Sequence, residues 1–294
     1  MATSVQTVPA KHVQSPFILW HLLSLDAPTV AALWVWFIAR AEHVHLPYTA
    51  PATMALAVWL LYAADRILDV RTLEQLAHSA ANEFEARHFF HHRHRRSFLF
   101  GIAVAAIALA SMLHLLDPTA IQLYCIEASL LVAWFVILHA TQSAHHLPKE
   151  IAVGIFFSAA VFIPTVARDP SLRFSLAPAA ILFGATCSLN CLFLYAWEHE
   201  GSAAQSARAG LKPHFTTRCA IDYLPTLATL IAVSAGIGTG ISTAPARPIL
   251  TACAVSAVTL LILHHSRRHL SRTGLRSAAD LALLTPALLL PFLR

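Results

Sequence analysis

Leu61-Tyr62-Ala63-Ala64-Asp65-Arg66-Ile67-Leu68-Asp69 closes an apolar run that begins near Pro47 and sets two carboxylates four residues apart. On a helix this i,i+4 spacing puts Asp65 and Asp69 on one face, roughly 6 Å apart, where hard oxygen ligands can share a divalent cation. Arg66 and Arg71 stand beside them. Carboxylates and guanidinium groups at the mouth of an apolar bundle suit Mg²⁺ and a diphosphate, since the metal bridges anions and arginine forks match phosphate oxygens. The competing reading of the same residues is a membrane helix that has reached water and turned polar.

Around that stretch, the composition decides the class. The chain has 294 residues, 57% hydrophobic and 12% charged, with a mean hydropathy of +0.63. That is too apolar for a water-soluble domain and predicts an all-α polytopic membrane protein, because no alternating β-barrel pattern is present. Nine apolar runs can be drawn: 17–38, 47–64, 98–116, 120–139, 150–167, 174–197, 222–241, 246–264 and 279–292. The last is short and interrupted by Pro286 and Pro291. Residues 1–16 form a short polar lead without an evident cleavage site, so the segment from Phe17 is expected to be a retained span. One domain over 1–294 is expected, with a basic, histidine-rich loop at 70–97.

With the N-terminus in the cytosol, only Arg40, Arg168, Arg173, Arg247 and Arg294 of the twenty Lys and Arg fall outside, and the other fifteen fall inside. This asymmetry supports a cytosolic N-terminus in an inner or plasma membrane of bacterial type. The formal charge of +5 is therefore a topology signal and does not point to nucleic acid. Five cysteines, at 125, 187, 191, 219 and 253, form no CxxC pair and predict neither disulfides nor zinc.

Further polar residues fall on or near the same side. Asp26, in Ser24-Leu25-Asp26-Ala27-Pro28, is expected about 13 Å inside the first span, where a carboxylate needs a polar cavity or partner. Lys149 opens the fifth span and can either anchor the helix or face an anion. The sixth span ends in Asn190-Cys191-Leu192-Phe193-Leu194-Tyr195-Ala196-Trp197-Glu198-His199-Glu200, a second polar cluster on that side. Glu127, deep in the fourth span, is read as a packing or hydrogen-bonding residue.

Nine spans, an acidic motif ending the second, a lysine near the fifth and a polar cluster ending the sixth resemble the UbiA superfamily of intramembrane prenyltransferases. That family's Asn-Asp-x-x-Asp-Arg-x-x-Asp motif overlays on 61–69, with Asp65, Arg66 and Asp69 retained and Leu61 and Tyr62 replacing its first two polar members. The resemblance implies a helical bundle around a lipid-facing cavity. It also implies Mg²⁺ held by Asp65 and Asp69, and a prenyl diphosphate bound by Arg66, Arg71 and Lys149. Asp26 and Asn190 are the further substrate-binding candidates, and the other partner implied is a lipophilic acceptor, commonly aromatic. The family's second motif, Asp-x-x-x-Asp, is met only by Glu198 and Glu200. Because i,i+2 residues diverge by about 200° on a helix, Glu198 is expected to act alone there, as at most one metal ligand or a hydrogen-bonding group.

Two other functions compete. Eighteen histidines include His88, His91 and His92, and also His264, His265 and His269, spacings that resemble the iron boxes of membrane desaturases and hydroxylases. A catalytically silent protein that binds or transports a prenyl lipid fits the incomplete acidic motifs.

Overall fold

The computed structural model describes Trp20 and residues 23–76, 94–140, 149–199, 215–242 and 244–293. Among them the regular structure is entirely helical: α1 (Asp26–Ala41), α2 (Thr49–Leu76), α3 (Arg95–Leu113), α4 (Pro118–Ala140), α5 (Lys149–Arg168), α6 (Arg173–His199), α7 (Phe215–Asp222), α8 (Leu224–Ile241), α9 (Arg247–Ser266), α10 (Arg272–Ala282) and α11 (Pro286–Leu289), with four short 3₁₀ turns. Helices occur in all nine expected apolar runs. Among the described residues five, Arg95–Leu113, Lys149–Arg168, Pro170–Trp197, Leu224–Ile241 and Ala244–His269, are long and apolar enough to cross a membrane. A sixth is added if the pair Gly274–Ala282 and Pro286–Phe292, bent by 48°, is one span. The chain is thus an all-α membrane protein, and by this measure its described residues supply five or six spans where nine were expected.

Helix starts follow local chemistry. Asp117 precedes Pro118 and its Oδ1 accepts from Thr119 N at 2.8 Å, which supplies one donor at the start of α4 with a partner. Ser271 does the same for α10, its Oγ accepting from Gly274 N at 3.1 Å. The last segment breaks after Ala282 because Pro286 has no N–H to continue a ladder and its ring crowds the preceding turn.

Neighbouring helices pair in sequence, α2 on α1 and α3, α5 on α4 and α6, and α9 on α8, and the groups are joined by α1 on α5 and α9 on α6. The α5–α6 seam is a close one. A Cβ at Gly154 would collide with Ser188 and with the backbone carbonyl of Gly184, so only glycine permits the approach. Ser158 Oγ donates across the seam to Ala180 O at 2.7 Å. Small residues that bring backbones together, with hydroxyls bridging them, are the association chemistry available where surrounding lipid is as apolar as the helices.

Pro164 lies inside α5 and cannot donate to Ala160 O, four residues back. Tyr124 of α4 supplies the missing donor, its hydroxyl reaching Ala160 O at 3.2 Å. Two main apolar clusters fill the interior, beside a small third one of Ala63, Ile67 and Phe98. The larger gathers Trp34 and Phe37 of α1, Met54 and Val58 of α2, Phe183 of α6 and Cys253 of α9 around the 4.1 Å contact of the Trp34 and Phe183 rings. The smaller gathers Leu192, Phe193 and Trp197 of α6, Leu224 of α8, Leu260 of α9 and Ala279 of α10. Outward faces carry exposed Ile107, Ile181 and Ile237, as a lipid-facing surface requires.

Two departures from the expected layout bear on function. Helix α2 does not stop at Asp69 but runs to Leu76, and α3 begins at Arg95, so the loop expected at 70–97 is shorter at both ends. His88, His91 and His92 lie outside the described residues. The first span is broken: Ser24, fully buried, takes a left-handed φ of 55°, and α1 starts at Asp26.

Candidate functional site

Helix α5 runs from Lys149 to Arg168, and the two ends of the bundle are named here by those residues. At the Lys149 end lie the start of α1, the later turns of α2, the end of α6, and the starts of α8 and α10.

Asp26 is not the mid-helix charge that the sequence suggested. It is the first residue of α1, 3% exposed, and its Oδ1 accepts from Ala27 N at 3.0 Å. A carboxylate in the first turn meets unpaired backbone N–H groups and the positive end of the helix dipole, which eases its burial. Pro28 also fits there without a kink, since first-turn N–H groups have no helical acceptor.

Asp65 stands at the margin of the α2 face that packs inward, one turn beyond Leu61, which is 53% exposed. Val58 and Tyr62 join the larger apolar cluster, and Asp65 is seven residues beyond Val58, within about 20° of it on the helix wheel. Ala63 and Ile67 turn the other way, toward Phe98 of α3. Asp65 is nonetheless exposed, so its carboxylate lies where the inward face of α2 opens to solvent. Arg66, Asp69 and Arg71 belong to the helical backbone of α2, but their side chains lie outside the described residues, as does that of Glu198 in α6. Helix α6 ends at His199, and Glu200 falls outside the described residues. The geometry of an Asp65, Asp69 and Glu198 metal set is therefore not described. Among the described residues no group of three or more His, Cys, Asp or Glu is placed to hold a metal ion.

Lys149 is exposed at the first position of α5. Its neighbour Glu150 turns inward, and Thr217 of α7, 2% exposed, donates its Oγ1 to Glu150 Oε2 at 3.2 Å. Asn190 is 5% exposed, and among the described residues its Oδ1 has no hydrogen-bond partner. The adjacent Cys191 lies within electrostatic reach of Glu150, Asp280 and Arg276. Four helices, α5, α6, α7 and α10, thus contribute polar groups to one region inside this end of the bundle.

Helix arithmetic places most of these groups at a similar depth. Asn190 is seven residues beyond Phe183 on the same face of α6, and Asp26 and Ala27 are seven to eight residues before Trp34 on α1. Phe183 and Trp34 touch, and two turns in the same direction from each is about 10 Å. On α10, Asp280 lies three residues and Arg276 seven residues before Leu283, whose carbonyl accepts from Trp34 Nε1 at 2.8 Å. Asp26, Asn190 and Arg276 therefore lie about 10–12 Å beneath the level of the Trp34 contact and Asp280 about 5 Å beneath it, together forming the polar layer of this end.

Glu150, Thr217, Arg276 and Asp280 were not singled out as site residues from the sequence. Arg276 and Asp280 did carry a legible signal, an i,i+4 charge pair beside the buried Leu275 and Ala279. The histidines at 264 and 265 serve structure here. Trp197 Nε1 donates to His264 Nδ1 at 3.1 Å, and His265 Nδ1 donates to Leu261 O at 2.8 Å.

The fold and this site define an all-α membrane protein with buried polar groups gathered near one end. No family model, curated protein or solved structure matches the chain.

Proposed function

We propose that this chain is a prenyltransferase-like protein of nine spans, its Lys149 end in the cytosol, which takes a prenyl diphosphate and a lipophilic acceptor. The observation that carries the reading is the position of Asp65. An exposed carboxylate continues the inward stripe of Val58 and Tyr62, at the end of the bundle that also holds Lys149 and the polar layer. A carboxylate oxygen there fits a hard cation, and Asp65 with Asp69 would hold Mg²⁺. Bound Mg²⁺ would supply charge neutralisation for the departing diphosphate. Lys149, Arg66 and Arg71 bind and orient that anion, and the apolar clusters receive the prenyl chain. In the reaction the carbon–oxygen bond to diphosphate breaks, the allylic carbon bonds to the acceptor, and the acceptor loses a proton.

The test is equilibrium binding of geranylgeranyl diphosphate to the full chain in detergent, with and without Mg²⁺. Asp65→Asn should weaken Mg²⁺-dependent binding at least tenfold while leaving the melting temperature unchanged, because an exposed side chain contributes little to packing. Equal binding by wild type and variant would reduce Asp65 to helix-end polarity. A second reading, a binding protein without turnover, draws on the incomplete acidic motifs, in which Leu61 and Tyr62 replace two polar members of the first and only Glu198 and Glu200 stand near the second. Release of inorganic diphosphate separates the two.

A further inference from the structure

Asn190 poses a question that the diphosphate leaves unanswered. Its amide oxygen is buried without a donor among the described residues, and such a group loses on the order of 1–3 kcal/mol relative to a satisfied one. Among other buried hydroxyls, those of Thr49, Thr53 and Thr165 also lack a partner among the described residues, while others are satisfied. Thr186 Oγ1, one turn earlier, donates to Leu182 O at 2.7 Å; Ser256 and Thr285 bond each other at 2.8 Å, and Thr285 also donates to Ala252 O at 3.1 Å. The unpaired oxygen belongs to a layer that already concentrates Asp26, Arg276 and Asp280, with Glu150 within reach. Two breaks in the helical chain flank that layer, at Ser24 and after Ala282, and membrane helices are broken where non-helical backbone lines a binding cavity.

We infer that Asn190 Oδ1 is the receptor for an O–H or N–H donor on the acceptor molecule, in a subsite set deeper than Asp65 and lined by Asp26, Arg276 and Asp280. The inference rests on the prenyl-transfer reading only in calling this molecule the acceptor. The acceptor class it defines is an apolar body carrying one hydrogen-bond donor, such as a phenol. A carbonyl oxygen accepts but cannot donate, so an ether or ester of the same shape leaves it unsatisfied. Selection of this kind is strong in a buried site, because binding the wrong ligand leaves a polar atom unpaired.

The experiment uses two probes of nearly equal shape, 1-naphthol and 1-methoxynaphthalene, with the detergent-solubilised full chain and detergent-only blanks. Wild type should bind the naphthol about tenfold more tightly than the ether. Asn190→Leu should bind both alike, and its melting temperature should stay level or rise, since an unpartnered oxygen is exchanged for apolar volume. Asn190→Asp, which keeps an acceptor oxygen, should keep the preference and serves if the leucine variant does not fold. No preference in wild type, or a preference that persists in Asn190→Leu, overturns the subsite. A preference lost in Asn190→Asp with the fold intact overturns it as well. Geranylgeranyl diphosphate binding on the same samples keeps the two readings apart. Asn190-dependent naphthol binding without any diphosphate binding sinks prenyl transfer and leaves the subsite standing, and the converse sinks the subsite alone.

Discussion

The indole Nε1 of Trp34 donates to the carbonyl oxygen of Leu283 at 2.8 Å, joining residues 249 positions apart where the last helical segment breaks. Leu283 O has no helical acceptor role there, because the chain turns and Ala287 N bonds instead to Leu284 O at 3.0 Å. The indole therefore satisfies a carbonyl that the break sets free. Trp34→Phe keeps a ring against Phe183 but leaves that oxygen buried and unpaired, a loss of about 1–3 kcal/mol. Thermal unfolding in detergent should show the loss for Trp34→Phe and none for Trp36→Phe, since Trp36 is 45% exposed.

Gly154 gives a prediction with a built-in control. Alanine there meets Ser188 and the backbone of Gly184, so α5 and α6 must separate, and overpacking of this kind costs about 1–3 kcal/mol. Gly236→Ala meets nothing within 4 Å and should be neutral or slightly stabilising, since alanine is the better helix former. Equal melting temperatures for the two variants would show that the seam is looser than described.

Burial at the Arg168 end raises the carboxyl of Glu42 above its usual range; His43 opposes the rise and Asp169 adds to it. A raised folded-state value means that the folded chain holds the proton more tightly than the unfolded chain does. The resulting stability is present at low pH and is lost as pH climbs through the raised value. Glu42→Gln should remove that dependence, so its melting temperature should exceed that of wild type at pH 8 and approach it at pH 4. A difference of the same size at both pH values would point to lost contacts instead of a proton.

Orientation is checked by thiol labelling in intact spheroplasts. Cysteines introduced at Ala80 and Gln205 should be shielded from an impermeant maleimide, and those at Pro118 and Thr243 should react. Labelling of Ala80 and Gln205 on opposite sides would separate the acidic motif of α2 from the end of α6, and the shared site would fall with it.

The positions of the helices were legible because hydropathy reports them directly. Their ends were less so. Hydropathy marks where the chain leaves an apolar setting, not where hydrogen bonding stops, and Leu73, Glu74, Gln75 and Leu76 carry α2 onward as good helix formers in polar company. The break before Asp26 had no local sign, since Ser24 is an ordinary residue held at φ 55° by its surroundings. Within the site, Asp65 and Asn190 could be chosen from spacing along one helix. The Thr217–Glu150 bond spans 67 residues, and no periodicity encodes a contact of that kind.

The continuation of α2 from Asp65 to Leu76 adds about 16 Å of helix beyond the carboxylate. Asp65 therefore sits at the foot of a palisade instead of on a rim. If the diphosphate site proposed above lies at Asp65, three further turns of α2 stand between that acid and the described end of the helix, and a solute must pass alongside them. Shortening α2 from its far end would then alter which molecules are admitted while leaving every residue of the polar layer in place.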